Sequence, residues 1–220
     1  MTQVRTLSFG IVDGRAVFMD ERTDSYFMLD CDQEEDLNRL AERSGPLSSG
    51  ADLNDLLGVG NEPIELIRAG YTSPSVSLLD GKVLRGPSLS AVIKAARLVR
   101  ATRTWLRTQP IAAVLTELSE GPSALTVRSV AREDLVDVAS RFLGARKFVP
   151  VPGNCLLDAL SMLRWLGPCR NAVALIFGAK LDPFAAHCWV QVDDLVLNDH
   201  VESVAAFTPV RVIRCSEATP

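Results

Sequence analysis

The sequence lacks the long apolar run that a membrane-spanning helix needs. No stretch of the 220 residues approaches the roughly 18 consecutive apolar positions of such a helix. Residues 1–10 contain no apolar signal-peptide core. We therefore expect a cytoplasmic protein with no membrane partner. The apolar content of 47% is sufficient for a buried core and higher than that of disordered chains.

Cysteine is scarce, and its spacing fits neither a disulfide framework nor a zinc site. The chain has five cysteines, an odd number, and none of them form a CxxC pair. A phosphate-binding loop is also missing, so the sequence predicts neither a metal nor a nucleotide cofactor. Four of the five thiols are expected to be core or incidental residues, namely Cys31, Cys169, Cys188 and Cys215.

Charge is unevenly distributed along the chain. Residues 1–80 carry 15 acidic and 6 basic side chains, a net charge of −9, whereas residues 81–220 carry 12 acidic and 17 basic ones, a net charge of +5. This asymmetry predicts two domains, residues 1–80 and 88–220, joined by a linker region rich in Pro, Gly and Ser at residues 71–87. A domain with a net charge of −9 would repel phosphate, so we expect no nucleic-acid partner.

Turn residues and apolar spacing predict three strands and then three helices in the N-terminal domain, an α+β arrangement of winged-helix type. The predicted strands are 6–9, 15–19 and 25–29, and the predicted helices are 32–43, 51–57 and 62–69. The C-terminal domain begins with predicted helices at 88–107 and 126–143 and continues with strands. This order is typical of a papain-like α+β domain with an antiparallel sheet.

Cys155 stands at the predicted start of a helix. Asn154 is a suitable N-cap, and an apolar periodicity follows until Gly167 and Pro168 end the helix. The free backbone N–H groups and the dipole at a helix N-terminus favour a thiolate and so lower the pKa of Cys155.

His187 and Asp199 occupy a predicted hairpin further along the chain. A three-residue loop, residues 192–194, or a bulged two-residue turn would place them opposite each other, whereas a regular two-residue loop would place them on opposite faces. The longer loop needs a left-handed residue, which Asp194 tolerates better than most. Together with Cys155, these are the parts of a Cys-His-Asp nucleophile system.

The residues around this trio resemble the transglutaminase-like cysteine protease of lasso-peptide biosynthesis, the leader-removing B protein. Cys155-Leu156, the run at residues 183–190 and Asn198-Asp199 carry the resemblance, which covers about residues 88–215. It implies that Cys155 is the nucleophile, His187 the base and Asp199 the acid that orients the base. The chain differs from the usual pattern at Cys188, where alanine is commoner.

Residues 22–30 resemble part of a small leader-recognition domain related to a pyrroloquinoline-quinone biosynthesis chaperone. The resemblance implies that a precursor leader adds beside the third strand, against the third helix. The leader-binding residues predicted on this basis are Ser25, Tyr26, Phe27, Met28, Leu29, Ile64, Ile67 and Arg68. The implied partners are the precursor peptide and an ATP-dependent, asparagine-synthetase-like cyclase that closes a macrolactam.

The leading expectation is a leader peptidase that hydrolyses the leader–core amide bond of a lasso-peptide precursor. Two alternatives stay open. The same triad could serve a transglutaminase-type acyl transferase or an amidase, and a vestigial triad would leave a non-catalytic peptide-binding module.

Overall fold

Two β-sheets organise the part of the chain that the computed structural model describes. That part comprises residues 5–36, 57, 64–68, 70–80, 86–119 and 131–214. Helices and strands are both present, so the expected α+β class is confirmed. Within the described ranges, no helix is both long and apolar enough to cross a membrane.

The first sheet is formed by the N-terminal part of the chain and has the strand order β3-β2-β1-β4. Strands β1 and β2 form a hairpin whose turn residues, Asp13 and Gly14, have φ angles of 49° and 83°. Positive φ at both positions matches the twist of a tight antiparallel hairpin. The strands are β1 (Arg5–Val12), β2 (Arg15–Asp20), β3 (Ser25–Met28) and β4 (Ile64–Arg68).

The prediction of a helix over residues 62–69 is wrong, because this segment contains strand β4. It pairs in parallel with β1, from Arg5 opposite Ile64 to Phe9 opposite Arg68. This non-local ladder satisfies the backbone hydrogen bonds of a short apolar run whose local pattern does not distinguish helix from strand. The winged-helix arrangement is therefore not confirmed.

The other two predicted N-terminal helices lie largely outside the described residues. Residues 31–36 are helical, which agrees with the beginning of the helix predicted over 32–43. The helix predicted over 51–57 falls outside the described part of the chain except for Leu57, which is buried.

The C-terminal part of the chain folds into helices followed by a second sheet. The predicted helices at 88–107 and at Cys155 are confirmed, whereas the helix predicted over 126–143 begins at Arg132 in the described residues. Helix α2 was not predicted. The helices are α1 (Leu89–Thr108), α2 (Ile111–Ser119), α3 (Arg132–Arg146) and α4 (Cys155–Leu166), with a 3₁₀ helix at Gly167–Ala172 and the short α5 (Val201–Ala205).

The second sheet has the strand order β5-β8-β7-β6-β9. Its ladders are antiparallel except for β5, which pairs in parallel with β8. Strand β5 lies within the region predicted as a linker, so this region also contributes to the second sheet. The strands are β5 (Val76–Ser77), β6 (Ala174–Lys180), β7 (Ala185–Val192), β8 (Leu195–Val196) and β9 (Thr208–Arg214).

Helix α4 lies between the second sheet and the other helices. It packs against β7 on one side and against α1 and α3 on the other. Leu160 and Leu163 are fully buried there. This burial fixes the direction of α4, and its N-terminal residue, Cys155, is consequently held near the beginning of β7.

The first sheet packs against the second through β1 and β9. Alternate residues of β2 point to opposite faces, and both faces are buried. Val17 and Met19 join the large core shared with the C-terminal helices, whereas Ala16 and Phe18 belong to a separate cluster with Leu7.

Candidate functional site

Cys155 is the first residue of α4, as predicted. The side chain of Asn154 caps the helix, since its Oδ1 accepts a hydrogen bond of 2.7 Å from the backbone N–H of Leu157. Cys155 is half-buried and its thiol is free. Its position at a helix N-terminus leaves backbone N–H groups without helical partners beside the sulfur.

Arg146 fixes the loop that leads into Cys155. Its Nε donates to Oδ1 of Asp158 at 2.7 Å, and its two terminal nitrogens donate to the carbonyl oxygens of Val149 and Val151 at 3.2 and 2.9 Å. A Cβ at Gly153 would collide with this pair of charged side chains. A larger residue at this position would have to displace the ends of these two paired side chains.

His187 and Asp199 are hydrogen-bonded, with 2.6 Å between Nε2 and Oδ2. The other oxygen of Asp199 accepts from the backbone N–H of His200 at 2.7 Å, and the Ser203 side chain also contributes to lowering the pKa of the carboxyl. Burial would raise the pKa of Asp199, but these hydrogen bonds and the nearby imidazole outweigh it and lower the pKa. The carboxylate therefore stays charged beside the ring.

The three-residue loop predicted for this hairpin is not formed. Val192 pairs with Leu195, so the loop has two residues and not three, and Asp193 is the left-handed residue, with a φ angle of 48°. A regular two-residue hairpin would separate His187 and Asp199. The chain instead leaves the ladder after β8 and bends over residues 197–199, which brings the carboxylate back to the ring.

The thiol of Cys155 and the ring of His187 are electrostatically coupled, since each shifts the pKa of the other. Because Nε2 of the ring bonds Asp199, Nδ1 is the nitrogen left for the sulfur. Hydrogen bonds from Cys188 and His187 lower the pKa of Cys155 to about 4, against the opposing effect of burial. Hydrogen bonds to Asp199 and Cys155 raise the pKa of His187 to about 9, again against burial. The arrangement therefore favours a thiolate–imidazolium pair near neutral pH.

Two residues beside Cys155 were not predicted to be there. Cys188 is one, because its thiol and its backbone N–H both contribute to lowering the pKa of Cys155. Tyr26 reaches the same place from β3, and its ring lies 5.9 Å from that of Phe184. Burial raises the pKa of Tyr26, and the negative charges of Cys188, Asp24 and Cys155 add to the effect. The alternation of side chains along a strand did not predict that Cys188 lies near this site, because it places His187 and Cys188 on opposite faces of the sheet.

The predicted leader-binding residues fall on two separate edges of the first sheet. Ser25 to Met28 form β3 and Leu29 follows it, whereas Ile64, Ile67 and Arg68 belong to β4 at the other edge. The predicted groove between a third strand and a third helix is therefore not formed by these residues. The side chain of Phe27 stacks on Phe18, with ring centroids 5.1 Å apart.

No group of three or more metal-ligating side chains occurs among the residues that the structure describes. A search of the curated proteins and a search of the solved structures gave no significant match. A comparison with protein families did give one: residues 96–212 match the transglutaminase-like superfamily. Because the matched segment spans more than half of the 220 residues and includes Cys155, His187 and Asp199, the chain belongs to the transglutaminase-like superfamily.

Proposed function

We propose that this protein is a cysteine peptidase that removes the leader from a ribosomally made lasso-peptide precursor. The observation that carries the proposal is the 2.6 Å hydrogen bond between the His187 ring and Asp199, together with the opposite pKa shifts that Cys155 and His187 impose on each other. Each residue has the chemical type that a nucleophile, a base and an orienting acid require. Membership of a superfamily that is typically cysteine-dependent supports the same chemistry.

The reaction follows from the thiolate–imidazolium pair. The Cys155 sulfur attacks the carbonyl carbon of the leader–core amide bond, and Nδ1–H of His187 gives its proton to the departing core amine as the C–N bond breaks. The leader is then a thioester on Cys155. Water then attacks this thioester, and His187 accepts a proton from the attacking water. The leader leaves as a carboxylic acid. Asp199 holds the ring orientation throughout.

The backbone at the start of α4 supports the charged intermediate. The N–H of Cys155 is one of the helix N-terminal donors without a helical partner, and the helix dipole favours negative charge at this end. We assign this N–H as one donor to the developing oxyanion.

Leader recognition is proposed for β3, the edge strand of the first sheet. An edge strand can pair with an extended peptide through its backbone groups. Met28 is 41% exposed on this strand, and it lies on the same face as Tyr26, which reaches the Cys155 region. A leader bound along β3 would therefore approach the nucleophile directly. We restrict the proposed contacts to this edge, since β4 lies at the opposite one.

The test is cleavage of a full-length precursor peptide, followed by mass spectrometry. Cys155→Ala and His187→Ala should each abolish cleavage. Asp199→Asn should retain a small residual rate, because the nucleophile and base remain while control of the ring tautomer is lost. Cys169→Ala removes a thiol that is not one of these three residues, and this variant should cleave the precursor at the wild-type rate.

Two outcomes would contradict the proposal. Full cleavage by the Cys155→Ala protein would show that another group attacks the amide. A precursor that is joined to an added primary amine in preference to being hydrolysed would instead indicate an acyl transferase on the same three residues.

A further inference from the structure

The segment from Asp199 to Phe207 meets the His187 ring at both of its ends. Asp199 bonds the ring at 2.6 Å, and the ring of Phe207 lies beside it with centroids 5.2 Å apart and planes inclined by 39°. Val204 fixes the middle of this segment, since it is fully buried and its carbonyl oxygen accepts from the backbone N–H of Phe207 at 3.0 Å. The position of Phe207 beside the imidazole is therefore set by the fold.

Gly178 leaves the space that Phe207 occupies. It pairs with His187 across β6 and β7, so a side chain at this position would project from the same face of the sheet as the imidazole. A Cβ at Gly178 would lie 2.9 Å from the Cβ of Phe207 and 2.9 Å from a ring carbon of Trp189. Phe207 thus takes the place of the missing cross-strand side chain. Together with Trp189, whose ring stacks on the imidazole at 6.0 Å, it gives His187 two aromatic neighbours.

We propose that Phe207 is a positioning residue, whose ring lies against the imidazole of His187 and holds it in place beside Asp199. The proposal rests on the proposed function of His187 as the acid and base of the reaction. The face of an aromatic ring carries partial negative charge and stabilises a cation within about 6 Å of its centroid. Phe207 therefore favours the protonated imidazole that the leaving amine needs, and it forms and breaks no bond itself.

Three charged groups from three other elements also act on this imidazole. Asp199, on the bend after β8, and Cys155, on α4, both raise the pKa of His187 against the effect of burial. Lys180 of β6 is the like charge, and its ammonium lies 5.4 Å from the centroid of the Phe207 ring. Loss of this ring would remove a stabiliser of the imidazolium and would also free the ammonium to approach it. The experiment has to separate these two effects.

The pKa of His187 is measured by NMR titration of the full-length protein labelled with ¹⁵N at histidine. Phe207→Leu keeps an apolar side chain but removes the aromatic face, so it should lower the pKa of His187 by about 0.5–1 pH unit. Phe207→Tyr keeps the face and should stay close to the wild type. His200 is the other histidine of the chain, and its ring bonds Asp80, so it supplies an internal reference in the same spectra.

A Lys180→Gln background separates the ring from the ammonium. If the aromatic face stabilises the imidazolium, Phe207→Leu should lower the pKa of His187 by a similar amount in this background. A shift that disappears there would assign the effect to Lys180 and overturn the proposal. The wild type offers a measurement that needs no folded variant: nuclear Overhauser effects should connect the ring protons of His187 and Phe207, and their absence would contradict the contact.

The proposal also fails if Phe207→Leu leaves the pKa of His187 unchanged or raises it, as a release from burial alone would do. It fails equally if Phe207→Tyr lowers this pKa as far as leucine does. The NMR titration does not depend on peptidase activity. A protein that leaves the precursor intact but shows the expected shift would overturn the proposed function and retain this inference.

Discussion

The imidazole of His187 uses its two nitrogens for different tasks. Nε2 is bonded to the Asp199 carboxylate at 2.6 Å, and the ring is also electrostatically coupled to the Cys155 thiol. The carboxylate raises the pKa of His187, and the resulting positive charge contributes to lowering the pKa of Cys155. The two titrations are therefore coupled, and the charged pair is the dominant form between a pH of about 4 and a pH of about 9.

The pH profile of precursor cleavage should reflect these two groups. The kcat/KM value should fall below a pH of about 4, where Cys155 becomes a thiol, and above a pH of about 9, where His187 loses the proton that the leaving amine needs. Asp199→Asn removes the charge that raises the pKa of His187, so its alkaline limb should move to lower pH. Stopped assays across the pH range measure both limbs.

Asp80→Asn serves as the control for this profile. The Asp80 carboxylate bonds the exposed ring of His200 at 2.7 Å and does not bond His187. Both limbs should consequently remain at their wild-type positions in this variant. An Asp199→Asn profile whose alkaline limb coincides with that of the wild type would contradict the coupling.

The sequence was sufficient to predict that His187 pairs with Asp199 and that Cys155 begins a helix, but it did not predict every side chain near them. Asn154 and Gly167 are local signals that define the ends of α4, and these ends place Cys155 at the N-terminus. Which side chains of β7 lie near Cys155 depends on how α4 packs against β7, and no local pattern contains that packing. Parity along the strand even places Cys188 on the face opposite His187.

At the scale of elements, Arg146 connects the end of α3 to the start of α4. Its side chain is 15% exposed and bonds Asp158 in the first turn of α4 as well as two carbonyl groups of the intervening loop. The planar guanidinium makes these bonds with separate nitrogens. A lysine ammonium lacks this fork geometry.

Arg146→Lys should lower the free energy of unfolding by about 1–2 kcal/mol, because hydrogen bonds from a partly buried group are lost. Cleavage of the precursor should also slow, since the loop before Cys155 loses its anchor. Arg141→Lys is a matched control on the same helix. The side chains of Arg141 and its partner Asp137 are 69% and 60% exposed, so the free energy of unfolding should change by no more than about 0.5 kcal/mol. Urea unfolding and the precursor assay provide the two measurements. Equal stabilities of the two variants would argue against the anchor.

The helix predicted over residues 62–69 and the predicted three-residue hairpin loop are wrong for different reasons. Residues 62–69 carry apolar spacing that a helix also shows, and their partner, β1, is more than 50 residues away in the chain. The hairpin loop was predicted from the need to place His187 opposite Asp199 in a regular ladder. The bend after β8 brings Asp199 to His187 without such a ladder. At this bend Oδ1 of Asn198 accepts a hydrogen bond from the backbone N–H of Val190 at 2.7 Å.

At the scale of the molecule, the two sheets are held together by close and buried contacts. Strand β1 passes so near to β9 that a Cβ at Gly10 would overlap the carbonyl oxygen of Pro209. Arg211 Nε lies 2.7 Å from Glu21 Oε1 in a buried ion pair. Both contacts fix the position of the sheet that contains β3 relative to the sheet that contains His187.

Gly10→Val should separate these sheets, because the carbonyl of Pro209 is backbone and has little freedom to yield. We expect a loss of about 1–3 kcal/mol in the free energy of unfolding, as for other overpacked sites. If leader binding along β3 delivers the precursor to Cys155, cleavage should fall several-fold while iodoacetamide alkylation of Cys155 in the folded variant stays near the wild-type rate. Gly86→Ala, whose added Cβ meets no neighbour within 4 Å among the described residues, is the control and should change neither property. A Gly10→Val protein that is destabilised but cleaves the precursor at the wild-type rate would show that the docking of the first sheet is structural and does not serve substrate delivery.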